Sequence, residues 1–582
     1  MKDVFAGLKR LEYRGYDSWG VAGLVAGQSL WIHKEIGALS KSGFKLGGRR
    51  RWQAVIGHTR WATHGEVTLP NAHPHLASDG SFALVHNGIL ENFVQIKNQL
   101  IKKGYHFTSL TDTEVLVHWL EDLKKQRHSL NLNRSILRHV QSKIKGRNTF
   151  VVLEKTGQLW AVRHQLSLYL AQDKLGDYYL SSDWLAFDQN CVSYYQVQDS
   201  QILMIGQTGE QRVKVYGPTG FAQTPGWQKL SLTHQPAGMA NYAHHTLHEI
   251  NQQKQVLIHV VPKKQQVLAL IKQIKKAHRI FLLGAGSAYF VADYLASKYR
   301  QVGLDARGIR SYEIESFLPV IDKWSLVIAI SQSGETADTN RAVELAITQG
   351  AKVASIVNMP YSSLTRLSHF SFLLNIGPEF GVASTKAITG QMALGSFMLK
   401  CFLEGYSTKL VSQLEHEQKK LANFMGRLER SMPKLVKLLV NQERGFVLGH
   451  HHLFPVGLEF ALKLKEISYL HVEGFAAGEL KHGVIALVEK NTPIFALVPA
   501  DVQGQDTLLN AVAEVKARGA RIIGISPVAS DLFDNWVKVP ELDIMAEIPY
   551  LIPAQLLTYK LALVKGYDPD QPRNLAKSVT VR

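Results

Sequence analysis

Leu326-Val327-Ile328-Ala329-Ile330-Ser331-Gln332-Ser333-Gly334-Glu335-Thr336 is the stretch on which the fold turns. Five apolar residues in a row, flanked by polar turns, describe a strand covered on both faces, as in a parallel sheet. The polar turn leads to Asp338-Thr339 and a helical stretch that ends at Gln349-Gly350-Ala351-Lys352, followed by the strand Val353 to Val357. The same order returns further on. Ile494-Phe495-Ala496-Leu497-Val498 leads to Asp506-Thr507, then Arg518-Gly519-Ala520-Arg521, then the strand Ile522 to Ile525. In each copy a glycine closes the helix just before the next strand. Each copy also opens on a strand and a glycine, Ile280 to Leu283 with Gly284 and Phe446 to Leu448 with Gly449. Two tandem doubly wound α/β domains, placed at 270–409 and 436–573, are the economical reading.

Upstream, residues 1–205 mix short β-like runs such as Ala54-Val55-Ile56 and Phe82-Ala83-Leu84-Val85 with Gly and His turns, and read as a separate domain. A polar, Pro- and Gly-bearing linker is expected over 206–240, and a non-helical tail over 574–582. A chain of 582 residues is too long for one core. Its two cysteines, Cys191 and Cys401, lie far apart, which argues against a disulfide framework or a structural zinc and for a reducing cytoplasm. No apolar run approaches the ~18 residues of a membrane helix, and the N-terminus has no signal-peptide pattern. The net charge of +18 comes with basic clusters at Arg49-Arg50-Arg51, Lys263-Lys264 and Lys272 to Arg279. None carries interleaved aromatics or a nucleic-acid motif, so the charge is read as solubility and attraction of an anionic substrate.

Three segments carry candidate chemistry. At Ser331-Gln332-Ser333-Gly334-Glu335-Thr336, backbone N–H groups, hydroxyls and a helix N-terminus converge on one anion; an ordinary Ser/Thr helix cap explains the same residues. On the helix Leu458 to Ser468, Glu459, Lys463 and Glu466 fall at i, i+4 and i+7 on an otherwise apolar surface. That stripe is either a solvated face or a paired cluster lining a pocket; past it, Gly478 to Gly483 brings a proton-shuttling His482. The tail from Asp570 to Val581 is either frayed or folded over a site, where Lys577 would offer an imine-forming amine. The histidines His58, His64, His73, His75 and His86 lack metal-site spacing, and no metal is expected. Arg60, Asn87-Gly88 and Asp112 suit a site for a small zwitterion.

Together these segments resemble the glutamine–fructose-6-phosphate aminotransferase (glucosamine-6-phosphate synthase) family over almost the whole chain. The likeness rests on Tyr13 to Ser18, His58 to Gly65, His86-Asn87-Gly88, Thr111 to Glu114, Ser331 to Thr339, Gly381 to Lys386, Ala461 to Ser468, Ala477 to Gly483 and Asp570 to Val581. The resemblance implies an N-terminal-nucleophile αββα glutaminase domain followed by two sugar isomerase domains. The implied reaction makes glucosamine 6-phosphate from fructose 6-phosphate and glutamine, the first step towards UDP-N-acetylglucosamine. Ammonia would pass to the sugar site through a channel gated at Trp61. It places the sugar phosphate on Ser331, Gln332, Ser333 and Thr336, with Ser287, Val382 and Ala383 at the same site. Lys577 becomes the Schiff-base lysine, and Glu466 the carrier of the proton between C1 and C2, with Lys463 beside it. His482 would come from the neighbouring subunit of a homodimer for ring opening. Arg60, Trp61, His64, Asn87, Gly88 and Asp112 would hold glutamine. No cofactor is implied.

Three departures from the family stand out. Its mature chain begins with cysteine, whereas this sequence opens Met1-Lys2-Asp3-Val4, already inside the expected first helix. As written it is expected not to hydrolyse glutamine: either the protein begins upstream, or it is an ammonia-dependent synthase or phosphosugar isomerase. Low solubility of residues 1–205 alone is expected with a strand absent. Gly146 to Phe150 and His164 to Ser167 also stand where the family carries other sequence. In Gly284-Ala285-Gly286-Ser287-Ala288, Ala288 replaces a serine, a lost hydrogen bond to a charged group worth ~1.5–3 kcal/mol. A non-catalytic sugar-phosphate sensor is the remaining alternative, opposed by the joint presence of Glu466, His482 and Lys577.

Overall fold

The computed structural model describes residues 1–25, 28–45, 51–62, 65–206, 212–230 and 242–577. They divide into two compact units, Met1–Gln235 and Pro236–Lys577.

The second unit holds two five-stranded sheets, all of whose neighbouring strands run parallel. Numbered in chain order within each sheet, both have strand order 2-1-3-4-5. The first, third and fourth strands of the first sheet are Arg279–Gly284, Ser325–Ser331 and Lys352–Val357. Their counterparts in the second are Arg444–Gly449, Pro493–Leu497 and Arg521–Ser526. The apolar runs that announced a doubly covered sheet are buried throughout. One continuous apolar core reaches from Ile250 through Leu282, Ile328 and Phe397 to Phe495 and Leu557, so the two sheets share an interior. Reversal of strand order between strands 1 and 3 opens a crevice at their carboxyl ends, where such sheets bind ligands. In the first sheet those ends deliver Gly284 and Ser331, which begin two of the segments singled out above.

The first unit is antiparallel. A seven-stranded sheet runs, edge to edge, Ala222–Gln223, Val213–Tyr216, Ile202–Ile205, Leu159–His164, Asn148–Glu154, Phe82–Gly88, His75–Leu76. A three-stranded sheet runs Trp31–Ile36, Ser18–Val25, Trp52–Arg60. Strand alternation builds the layers. Phe82 and Leu84 face the helices Phe93–Lys102, Asp112–Gln126 and Arg134–Lys143, while Ala83 and Val85 pack on Ala22, Leu24 and Ile56 of the smaller sheet. On that sheet's far side Trp19 and Val21 meet Val4, Phe5 and Leu8 of the helix Lys2–Leu11. Helix, sheet, sheet, helix is the expected αββα order.

One boundary needs correction. Residues 213–216, expected within a linker, are a strand of the seven-stranded sheet, and 222–223 and 228–229 are short strands as well. The cause is an alternation too short to stand out in sequence: Val213 and Val215 are buried in one core, while Lys214 and Tyr216 on the other face are only half-buried.

Candidate active site

The cradle at 331–336 is built by a strand, a tight loop and a helix. Ser331, 2 % exposed, ends its strand, and its Oγ accepts the Gly334 N–H at 2.9 Å and lies 3.3 Å from Thr336 Oγ1. Gly334 sits at φ +65°, and a Cβ there would lie 2.2 Å from Ser362 Oγ, so only glycine lets the loop close. Thr336 precedes the helix Ala337–Thr348, whose first-turn N–H groups face the same loop. Glu335 is turned away, accepting from Ser363 N and Oγ at 2.8 Å each, which keeps its charge off the loop's N–H groups. Ser362 Oγ, Asn340 Oδ1 and Asn358 Oδ1 are buried here without partners among the described residues.

The second repeat ends its corresponding strand differently. The corresponding helix of the second copy, Val502–Lys516, is capped by Asp501, whose carboxylate accepts the Gly504 N–H at 2.7 Å. A fixed negative charge occupies the place an anion would take.

The stripe on the helix Leu453–Ser468 is a buried cluster, not a solvated face. Lys463 is 0 % exposed, with Nζ 2.6 Å from Glu466 Oε2, 3.2 Å from Glu459 Oε1 and 3.2 Å from Ser287 Oγ. Burial opposes its charge, but Glu459 and Glu466 together outweigh that and hold its pKa above the ordinary range. Glu459 is 3 % exposed, and burial, reinforced by the Glu466 charge, pushes its pKa up to about 7 despite Lys463. Glu466, at 20 %, is the carboxylate that a substrate can reach.

Ser287 opens the helix Ser287–Gln301 at the end of the Gly284 loop, so its bond to Lys463 ties the first sheet's crevice to the charged stripe. Val382 and Ala383 lie in the loop before the helix Lys386–Glu404. Ala383 packs with Ile467, next to Glu466, and with Ala562. Asn358 links this loop region to the cradle: its N–H donates to Gln332 O at 3.2 Å and its Nδ2 to Gly377 O at 2.9 Å. Lys577 is brought to the same loop, with its side chain 2 % exposed and Nζ 2.5 Å from Glu379 Oε2. The tail is therefore not frayed there. Upstream, Asp570 accepts from His245 N, Thr246 N and Thr246 Oγ1 at 2.7, 2.8 and 2.7 Å.

His482 is placed differently. It ends the short turn Leu480–His482, is exposed, and has no side-chain partner among the described residues. Glu379 and Glu249 were missed in the sequence. Neither belongs to a recognisable spacing, and only contacts distant in sequence mark them: Glu249 accepts from Phe380 and Gly381 N–H groups, Glu379 from Thr385 and Ala387.

In the first unit, Arg60, Trp61, Asn87, Gly88 and Asp112 line one cavity of about 690 Å³ with His58, His73 and His86. His64 lies outside the described residues. Asp112 Oδ2 accepts the Leu90 N–H at 2.8 Å, and Asp17 Oδ2 the Ala62 N–H at 2.8 Å, so two carboxylates stand near the buried Arg60. His58 and His75 are held down to about 3, chiefly by burial, and so stay neutral. Cys191 and Cys401 are free and buried, and burial pushes their thiols up to about 11 and about 12, far from the range of a reactive thiolate.

Comparison with known proteins agrees with both units. The SIS domain model matches residues 273–400 and 438–565, and a glutamine amidotransferase domain model matches 58–189. Glutamine–fructose-6-phosphate aminotransferase (isomerizing) of Thermococcus kodakarensis is 36 % identical over 99 % of this chain and 97 % of its own length. The chain belongs to the glutamine–fructose-6-phosphate aminotransferase family. The aminotransferase of the same name from Bacteroides thetaiotaomicron is 34 % identical, again over 99 % of this chain and 97 % of its own. Among solved structures, the C-terminal domain of the Francisella tularensis glucosamine–fructose-6-phosphate aminotransferase is 31 % identical, with a TM-score of 0.51. It covers 58 % of this chain and 100 % of its own. No helix among the described residues is long and apolar enough to cross a membrane.

Proposed function

We propose that this chain makes glucosamine 6-phosphate from fructose 6-phosphate, with its nitrogen drawn from glutamine or from ammonia. The observation that carries the reading is the convergence, within one unit, of an anion cradle, a reachable carboxylate beside a buried lysine, and a second buried lysine at the end of the tail.

The phosphate sits on Ser331, Gln332, Ser333 and Thr336 at the helix N-terminus, with the Ser287 loop, Val382 and Ala383 along the sugar. Lys577 attacks C2 of the open-chain ketose and forms an imine, which ammonia then displaces. Glu466 takes a proton from C1 and returns one to C2, leaving an aldehyde at C1 and an amine at C2. Lys463, 2.6 Å from Glu466 Oε2, holds that carboxylate in place. His482, exposed on its own chain, serves the site of a neighbouring subunit in a homodimer and moves the proton of ring opening. In the first unit, Arg60 and Asp112 grip the carboxylate and ammonium of glutamine across the cavity edged by Trp61, Asn87 and Gly88. His64 is assigned to the same site.

The test follows glucosamine 6-phosphate from fructose 6-phosphate with ammonium chloride or with glutamine, in the wild type and in Glu466→Gln. Product with ammonium, reduced about 10²–10⁴-fold in Glu466→Gln at unchanged KM, is expected. Product with glutamine adds the first unit's activity to the second's. No product with either nitrogen source sinks the reading.

A further inference from the structure

Lys577 is not held by the tail alone. Glu379, at the head of the loop that carries Val382 and Ala383, has its side chain wholly buried, as is almost all of the Lys577 side chain. Oε1 accepts the Thr385 and Ala387 N–H groups at 2.8 and 3.1 Å, and Oε2 accepts Ser384 Oγ at 3.0 Å and Lys577 Nζ at 2.5 Å. Around this pair stand two further titratable groups. Glu249, from the helix His245–Val256, accepts the Phe380 and Gly381 N–H groups; Lys386 donates to Gln252 Oε1 at 2.7 Å and to Ile376 O at 3.0 Å. The enclosure thus holds two carboxylates and two amines.

Such a site poses a problem for the imine chemistry proposed above, on which this inference rests. A buried lysine paired at 2.5 Å is an ammonium, and an ammonium has no lone pair. Its proton must go to a neighbour. Lys386 is a cation or a spent donor, and Glu466 and His482 have other tasks. We infer that Glu379 is the acid–base partner of Lys577: it accepts the ammonium proton as the ketose arrives and returns it when water leaves. The neutral Nζ adds to C2, forming the C–N bond while the carbonyl oxygen becomes the carbinolamine hydroxyl as a proton passes from N to O. Glu379, now a carboxylic acid, protonates that hydroxyl; the C–O bond breaks, water departs, and the iminium and the Glu379 carboxylate remain. Ketone plus ammonium has become iminium plus water, with no net proton taken up.

The surroundings suit the task. Lys577 and the loop N–H groups hold Glu379 ionised against its burial, so it is a carboxylate ready to receive. Glu249, pressed by burial and by the charge of Glu379, is shifted the other way and keeps its own proton, so it does not compete as acceptor. Burial draws Lys386 down, though both carboxylates oppose this.

The experiment incubates the full chain with fructose 6-phosphate and sodium cyanoborohydride and quantifies, by mass spectrometry, the reduced sugar adduct on Lys577 over time, from about pH 6 to about pH 9. In the wild type, adduct formation is expected to be nearly independent of pH, because the proton acceptor is internal. Glu379→Gln is expected to slow it about 10²-fold or more at neutral pH and to make it climb about tenfold per pH unit as hydroxide takes over. Glu379→Asp keeps the flat profile at a reduced rate, and formate restores part of the rate to Glu379→Ala. A Glu379→Gln chain with the wild-type rate overturns the proposal. So does one that is slower but equally flat, with no rescue by formate: that is a residue that only holds the tail. If Glu379→Gln does not fold, the wild-type profile decides, since a tenfold climb per unit there excludes an internal acceptor. Absence of any adduct on Lys577 in the wild type removes the imine reading itself, and with it this one.

Discussion

At the scale of the residue, the charged stripe shows what spacing tells and what it leaves open. Glu459, Lys463 and Glu466 were legible as one helical face, because i, i+4 and i+7 allow nothing else. Whether that face met water or a pocket depended on neighbours contributed from far away: Ser287 from the other repeat, and Thr558, whose Oγ1 donates to Lys463 O at 2.9 Å. Burial has a measurable consequence. The Glu459 carboxyl titrates near 7 in the folded protein against an ordinary 4.5, so between those values the native state keeps a proton that the unfolded chain has lost. Stability from this group is complete below pH 4.5 and drains away as pH rises through 7. Glu459→Gln should flatten that decline, read as the denaturant midpoint against pH, while Lys463 stays paired with Glu466. Parallel curves for the two proteins would show that Glu459 does not titrate there.

At the scale of the element, strand–loop–helix units were the readable part, since a run of five buried apolar residues, a Ser/Gly turn and a terminal glycine are each local signals. What escaped was set by packing: the strand at 213–216 is too short to declare itself, and Glu379 and Glu249 matter only because a loop folds back over a helix. Gly334 is the point where loop geometry can be tested. Alanine there meets both a left-handed backbone and the Ser362 hydroxyl. Gly334→Ala should cost about 1–3 kcal/mol of stability and raise the KM for fructose 6-phosphate at least tenfold. Thermal melting and initial rates check the two parts, and an unchanged KM would place the phosphate elsewhere.

At the scale of the whole molecule, the αββα layers and the paired parallel sheets followed from alternation and repetition in the sequence; how the repeats share one interior did not, because that core is assembled from residues some three hundred positions apart. Cradle, stripe and Lys577 lie within one unit, so that unit should stand alone. Residues 236–582 expressed by themselves should unfold cooperatively in urea and bind fructose 6-phosphate as the full chain does; the isolated C-terminal domain of the Francisella tularensis relative gives the precedent for such a fragment. A broad, non-cooperative melt would show that the first unit is needed to complete the fold. Asp501 adds a last consequence. By satisfying its own helix from within, the second repeat leaves no such place for an anion, so the proposed reading puts one sugar on each chain. On that reading the second repeat is the workbench: it contributes Glu466 and Lys463, while the first contributes the cradle.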